Sequence, residues 1–344
     1  MLAGGEGTRL RPLTLTTPKP VMPLAGRPFL SFMLDWVHSH DAEEVILSCG
    51  FMSDAVKSVL GDIYDGMRLR HVAEDEPLGT AGAVRLAYDE GLLEERFLVL
   101  NGDVLTDIDL TAELEQHERT GARATLALYP VEETSSYGVV PTDDDGQVTE
   151  FIEKGGGEAP TNRINAGAYV LERDVVESIP EGRAVSFERE VFPSLIGNGL
   201  YGYAAAGYWI DIGTPERYLE ATWDLLAGRV HSTLPPRDET GSLIYQNCLV
   251  AGAHVGPQTV LGRHCSVGTD ARVERSVLHE RVLVGADAVV IESVLGERVR
   301  VGERARVGPD AMVGANAVIE ADAVVATGAR VEPGATVSAG EPIA

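Results

Sequence analysis

An α/β domain with a mostly parallel sheet, followed by a left-handed parallel β-helix, is what this sequence predicts. Up to about residue 228, short apolar runs alternate with helical stretches, the pattern of buried strands covered by helices. From residue 243 onward apolar residues recur every six positions, a period that neither a helix nor an alternating strand sustains. A polar connector, R-V-H-S-T-L-P-P-R-D-E-T-G-S, lies between them. At 344 residues the chain exceeds a usual single core, so two domains, 1–228 and 243–344, are expected with a linker at 229–242.

In chain order, V-I-L-S-C-G (45–50), F-L-V-L-N-G-D (97–103), A-T-L-A-L-Y-P-V (124–131) and N-A-G-A-Y-V-L (165–171) read as strands buried on both faces. Residues 29–40, 81–91 and 110–121 read as helices, the last two ending in a glycine suited to a left-handed C-cap. T-D-D-D-G-Q (142–147) is a turn, and T-P-E-R-Y-L-E-A (214–221) opens a helix with threonine at the cap and proline in its first turn. The six-residue period then takes in Leu243, Leu249, Val255, Leu261, Val267 and Val273, and resumes from Leu295 through Val301 to Ile343. The fourth residue after each apolar position is alanine at 305, 311, 317, 323, 329 and 335. Each hexapeptide makes one face of a triangular coil, its apolar residue pointing inward and a small residue fitting the corner; about five to six coils are expected. Between the two runs, S-V-L-H-E-R-V-L-V-G (276–285) recurs as S-V-L-G-E-R-V-R-V-G seventeen residues on.

Charge excludes one class of partner. With 53 acidic against 28 basic residues, a formal charge of -25, binding to nucleic acid is disfavoured. Lys19, Lys57 and Lys154 are the only lysines. An acidic, lysine-poor surface suits concentrated salt, where a Debye length of ~3 Å at 1 M suppresses self-repulsion. A halophilic protein is therefore expected, and unfolding on dilution to ~0.1 M salt, followed by circular dichroism, tests it. No apolar run has the length of a membrane helix and no secretory leader is evident, so a cytoplasmic protein without membrane attachment is expected. Cys49, Cys248 and Cys265 are too widely spaced for a disulfide framework or a C-x-x-C metal site, and are expected as reduced, buried residues.

The opening M-L-A-G-G-E-G-T-R-L-R sets Gly4, Gly5 and Gly7 beside Thr8, Arg9 and Arg11. Exposed backbone amides next to fixed positive charge suit a polyphosphate. T-T-P-K-P-V holds Lys19 between two prolines, which position its compact charge. Asp103, after L-V-L-N-G, and Asp211, in Y-W-I-D-I-G-T-P, stand at the carboxyl ends of strands, where open α/β sheets place ligands. Each could cap a helix; together, beside two phosphate-type elements, they suit a Mg²⁺ that bridges substrate phosphates.

L-A-G-G-E-G-T-R-L-R-P-L-T, T-P-K-P-V, E-P-L-G-T-A-G-A, L-N-G-D, F-I-E-K, N-A-G-A-Y and W-I-D-I-G-T-P, in this order, resemble the sugar-1-phosphate nucleotidylyltransferases. The two-domain plan is most similar to the mannose-1-phosphate guanylyltransferase branch. This resemblance implies a Rossmann-like catalytic domain that makes a nucleotide-sugar and pyrophosphate from a nucleoside triphosphate and a sugar-1-phosphate. It implies GTP with mannose-1-phosphate, the alternative being dTTP or UTP with glucose-1-phosphate or N-acetylglucosamine-1-phosphate. By position, Leu2, Ala3, Gly4, Gly5, Gly7, Thr8 and Arg9 would cradle the triphosphate, and Arg9 and Lys19 would neutralise the departing pyrophosphate. Glu74, Pro77, Leu78, Gly79 and Thr80 would hold base and ribose, with Glu74 standing where thymidylyltransferases commonly have glutamine. Asp103 and Asp211 would hold Mg²⁺. Gly138, Glu153, Asn165 and Gly167 would meet the sugar and Lys154 its phosphate, although G-G-G follows Lys154 where the family often has proline.

The chemistry so implied is in-line attack of a sugar-phosphate oxygen on the α-phosphorus, without a covalent enzyme intermediate. Two rival readings are a non-catalytic regulatory subunit, tested by pyrophosphate release, and an acyltransferase β-helix. The latter would need a histidine base, but His254, His264 and His279 are expected as surface residues. The β-helix is expected to drive homo-oligomer assembly. Finally, the glycine loop follows only Met1 and Leu2, whereas the family hangs it from a short central strand. Loss of three or four buried aliphatic side chains would cost about 5–12 kcal/mol. Met1 is accordingly expected to be a misassigned start, an expectation that intact mass of the native protein tests.

Overall fold

The computed structural model describes residues 1–152, 159–250 and 252–340. By contacts the chain divides into two compact units, Met1–Gly5 with Trp36–Trp209, and Glu6–Asp35 with everything from Ile210 onward.

In the first unit a three-stranded sheet, in the order Glu44–Cys49, Met67–Ala73, Ile63–Tyr64, neighbours a four-stranded one, Leu200–Ala204, Ala124–Pro130, Arg163–Glu172, Arg96–Leu100. Residues 1–3 join them. Leu2 forms parallel bridges to Ser48 and to Asn101, and the Leu2 and Ala3 amides donate to Leu100 O and Ser48 O, both at 2.8 Å. The apolar runs read from the sequence are all strands here. Met67–Ala73 is a further one, its residues alternating between buried and exposed as a strand with one wet face does. The sheet is parallel except at Arg163–Glu172, which runs against both neighbours, and at Ile63–Tyr64, which forms a hairpin. Helices form at Phe29–His38, Gly79–Asp89 and Leu110–Thr120, the last closed by Gly121 at φ 60°. The Met1 ammonium donates to Ile46 O at 2.7 Å, and burial lowers its pKa to about 6. Beside it a cavity of about 520 Å³ lies between the Glu44–Ile46 and Arg96–Leu98 stretches, lined also by Val84 and Leu93.

Leu110–Thr120 buries two titratable side chains against the sheet. His117 bonds Thr125 Oγ1 at 2.9 Å and Glu172 Oε1 at 3.1 Å. Glu113 is fully buried without a hydrogen bond of normal geometry, so burial raises its pKa well above the usual carboxylate range, the Ala127 amide offsetting little of this. The folded chain therefore holds a proton there that the unfolded chain releases above pH ~4.5, and stability falls as pH rises from that point toward the folded pKa. Glu113→Gln removes that dependence. It is expected to raise stability at pH 8 by about 1–3 kcal/mol, measured by urea denaturation across pH 5–8.

The second unit contains the β-helix, built, among the described residues, from three parallel sheets of six, six and five short strands. Leu261, Val267 and Val273 begin the inward columns, which continue coil by coil to Val331, Val337 and Val325, with Ala305, Ala311, Ala317, Ala323 and Ala329 packed among them. Early coils are 17 residues, as in the pairing Val260↔Val277, and later ones 18, as in Met312↔Arg330. One corner is thus a residue shorter in the early coils, which accounts for the seventeen-residue internal repeat.

Three sequence expectations change here. The six-residue period puts Leu249 inward, yet it pairs with Ser266 and is 69% exposed, while Val250 pairs with the inward Val267. A shift of one residue moves a side chain to the other face, and the ladder pairing decides it. Among the coil histidines, His254 and His264 are exposed but His279 is buried, its Nε2 3.2 Å from the Tyr218 hydroxyl. Cys49 and Cys265 are buried free thiols, whereas Cys248 is half-buried. No helix among the described residues is long and apolar enough to cross a membrane.

Candidate active site

In the first unit, Met1–Gly5 leaves the sheet between Ser48–Gly50 and Asn101–Gly102. Glu74 follows the Met67–Ala73 strand, and its amide donates to Cys49 O at 2.9 Å. Its carboxylate accepts from Leu78 N at 3.0 Å, closing the turn that contains Pro77; a Cβ at Gly4 would lie 3.0 Å from Glu74 Oε1. Gly79 opens the Gly79–Asp89 helix at φ 70°, and a Cβ there would lie 2.7 Å from Val185 O, so only glycine fits. Thr80 Oγ1 donates to Glu188 Oε2 at 3.0 Å and accepts from Phe187 N at 2.9 Å. These bonds pin Pro77–Thr80 to residues 185–188.

Gly138, Asn165 and Gly167 also come together in this unit. The Asn165 amide reaches Gly138 O at 3.4 Å, while Asn165 Oδ1 accepts from Gly167 N at 3.0 Å. Asn165 Nδ2 donates to the Tyr169 hydroxyl at 2.9 Å, and Asn101 N donates to Gly167 O at 2.7 Å. Burial, reinforced by the Glu188 carboxylate, raises the Tyr169 pKa well above the usual phenol range. Trp209 Nε1 donates to Ala166 O at 2.8 Å, and its ring meets those of Tyr129 and Tyr137 at 5.8 and 5.4 Å. The three rings thus pack together, tied by Trp209 to the Asn165–Gly167 segment. Glu153 and Lys154 lie outside the described residues.

The second unit holds the cationic elements. Gly7 turns at φ 62° into the short helix Thr8–Leu10, whose Arg9 is exposed. Thr14 Oγ1 donates to Gly7 O at 2.9 Å, and a Cβ at Gly7 would lie 3.2 Å from Lys19 Cβ, so the glycine turn rests on the lysine stem. Lys19 is 92% buried at the start of the Lys19–Val21 turn. Arg9 and Asp211 both flank Gly213. A Cβ there would be 2.5 Å from Arg9 Nη2 and 2.9 Å from Asp211 Oδ2.

The helix-cap reading of the two aspartates fails locally. Thr214 caps Pro215–Ala227, accepting from Arg217 N at 3.4 Å, and Asp109 caps Leu110–Thr120, accepting from Ala112 N at 3.0 Å. Asp103 precedes the strand Val104–Thr106, not a helix. Asp103 in the first unit and Asp211 in the second are each half-buried, and each offers oxygen donors of the kind Mg²⁺ takes. Among the described residues no group of three or more His, Cys, Asp or Glu is placed to hold a metal.

Sequence reasoning missed Asn101, Gly213, Glu188, Tyr169 and Trp209. Asn101 and Gly213 stand inside L-N-G-D and W-I-D-I-G-T-P and were within reach. Glu188 carried no signal, because 108 residues separate it from Thr80.

A family model described as Nucleotidyl transferase matches residues 1–228, and one described as GMPPB C-terminal domain matches 242–340. The chain is 39% identical to a mannose-1-phosphate guanylyltransferase from Mycobacterium tuberculosis, over 81% of this chain and 79% of that protein. It is 34% identical to mannose-1-phosphate guanylyltransferase 1 of Arabidopsis thaliana, over 80% and 79%, and 30% identical to a UTP–glucose-1-phosphate uridylyltransferase of Synechocystis, over 81% and 82%. Among solved structures, HddC from Yersinia pseudotuberculosis complexed with GMP-PN is similar, with TM-score 0.55 and 31% identity over 64% of this chain and 95% of that one.

Proposed function

Because the chain belongs to the nucleotidyl transferase family, as a sugar-1-phosphate nucleotidyltransferase, we propose that its substrates are GTP and mannose-1-phosphate, giving GDP-mannose and pyrophosphate. The observation that carries the choice of base is Glu74. A carboxylate accepts hydrogen bonds and donates none, and guanine offers N–H donors where uracil and thymine pair theirs with carbonyl acceptors. Glutamine presents both an acceptor and a donor. The relatives named guanylyltransferase support the same choice, and the uridylyltransferase relative keeps the alternative within the test.

In this reading Gly4, Gly5, Gly7 and Thr8 offer amides to the triphosphate, and Arg9 and Lys19 neutralise charge as pyrophosphate leaves. Pro77–Thr80 holds the base and ribose. Asn165, Gly138 and Gly167 orient the sugar, with Glu153 and Lys154 completing that side. Asp103 and Asp211 would hold Mg²⁺, which when bound screens the two anions and polarises the α-phosphate. Catalysis is then alignment plus cancellation of repulsion, with no side-chain nucleophile. The β-helix is read as an assembly element, supported by its outward Leu249, Leu283 and Val324; light scattering of the full chain measures the oligomer.

Pyrophosphate release from four nucleoside triphosphates against mannose-, glucose- and N-acetylglucosamine-1-phosphate tests the assignment. A preference for UTP or dTTP would overturn it. Glu74→Gln keeps an acceptor for Leu78 N, and is expected to lower kcat/KM for GTP about 10- to 100-fold while narrowing its lead over UTP.

A further inference from the structure

Just after Lys19, the chain forms a small hairpin that is held from three sides. Pro23–Leu24 pairs with Arg27–Pro28, with Ala25 and Gly26 at the turn at φ 45° and 79°. Backbone bonds tie it to the lysine turn: Met22 N donates to Lys19 O at 3.2 Å and Phe29 N to Met22 O at 3.0 Å. Pro23 O accepts the hydroxyl of Tyr218, which is buried and also contacts His279 Nε2. Arg27 donates to Thr233 O at 2.6 Å and to Asp35 at 2.8 Å. The third anchor comes from the first coil of the β-helix. Tyr245 follows the strand Leu243–Ile244, and its amide is fixed to Leu261 O at 2.9 Å. Its hydroxyl donates to Ala25 O at 2.9 Å, and its ring lies so close over Gly26 that a Cβ there would sit 2.2 Å from Cε2.

We propose that Tyr245 is a positioning residue for nucleotidyl transfer: it locks the Ala25–Gly26 turn and, through the hairpin, fixes the Lys19 ammonium against the leaving pyrophosphate. The inference rests on the role given to Lys19 above. The turn is buried at Ala25, and two carbonyls of this one short hairpin each take a tyrosine hydroxyl from a different element, so both of its arms are fixed. A charge that must meet developing negative charge loses its effect when its support loosens by about 1 Å, which gives the fixation its use. The first β-helix coil thereby becomes part of the catalytic scaffold as well as an assembly element.

Tyr245→Phe removes one hydroxyl and keeps the ring. Its kcat is expected to fall about five- to tenfold, with KM for both substrates within about twofold and the melting curve retained. In a Lys19→Arg background the same change should lower kcat less than about twofold, because the group it positions is gone. A Tyr245→Phe enzyme with kcat within twofold of the parent overturns the proposal. So does an equal fall in both backgrounds, which marks a structural role independent of Lys19. Should Tyr245→Phe melt near the assay temperature, the same cycle is run at a lower temperature at which every variant is folded, and is scored the same way. Lys19→Arg alone separates the two levels: parental turnover there removes the role of Lys19 and this inference with it, whereas an impaired Lys19→Arg beside a normal Tyr245→Phe removes only the inference.

Discussion

Asp103→Ala is expected to lower kcat at least ~10³-fold, about 4 kcal/mol of transition-state stabilisation, while the protein still folds. The reaction brings a sugar phosphate against a nucleoside triphosphate, so repulsion between anions is its principal obstacle. In the proposed assignment Asp103 and Asp211, carboxylates at strand ends, would supply the hard-oxygen donors that recruit Mg²⁺ against it. Asp103 is half-buried and the cap of the next helix is Asp109, so removing its carboxylate leaves the helix start intact. The measurement is single-turnover pyrophosphate release over a range of Mg²⁺, alongside a thermal melt. Residual activity that calls for more Mg²⁺ fits the assignment; near-normal turnover with unchanged Mg²⁺ dependence refutes it.

Gly213→Ala is expected to cost about 10- to 100-fold in kcat with stability changed by less than about 1 kcal/mol. Glycine at this position leaves room for both Arg9 and Asp211, since an added Cβ would come within 2.5 Å of Arg9 Nη2 and 2.9 Å of Asp211 Oδ2. Gly213 is not among the positive-φ glycines, so alanine fits its backbone. The atoms displaced are the ends of side chains, and the exposed Arg9 yields easily. Stability is therefore spared while both charges are displaced. A melting temperature many degrees lower with kcat preserved would show that Gly213 serves packing instead.

The fold was legible because its signals are local and repeated. Apolar strands and a six-residue period with alanine at the corners survive single exceptions, and the motifs of the glycine loop, L-N-G-D and W-I-D-I-G-T-P marked the family. Leu249 shows where period alone fails: at its strand the ladder register aligns Val250, not Leu249, with the inward column. His279 shows the same for burial, since it faces Tyr218 of a helix about 60 residues earlier. Composition and pattern by themselves determined the two architectures and the excess of acidic residues, and the motifs determined the family. Only the tertiary structure decided that Glu188 backs Thr80, that Arg9 and Asp211 both flank Gly213, and that Tyr245 grips the hairpin after Lys19. Periodicity and motif are properties of neighbours in sequence. A hydrogen bond between residues 220 positions apart, like that from Tyr245 to Ala25, exists only once the chain has closed on itself.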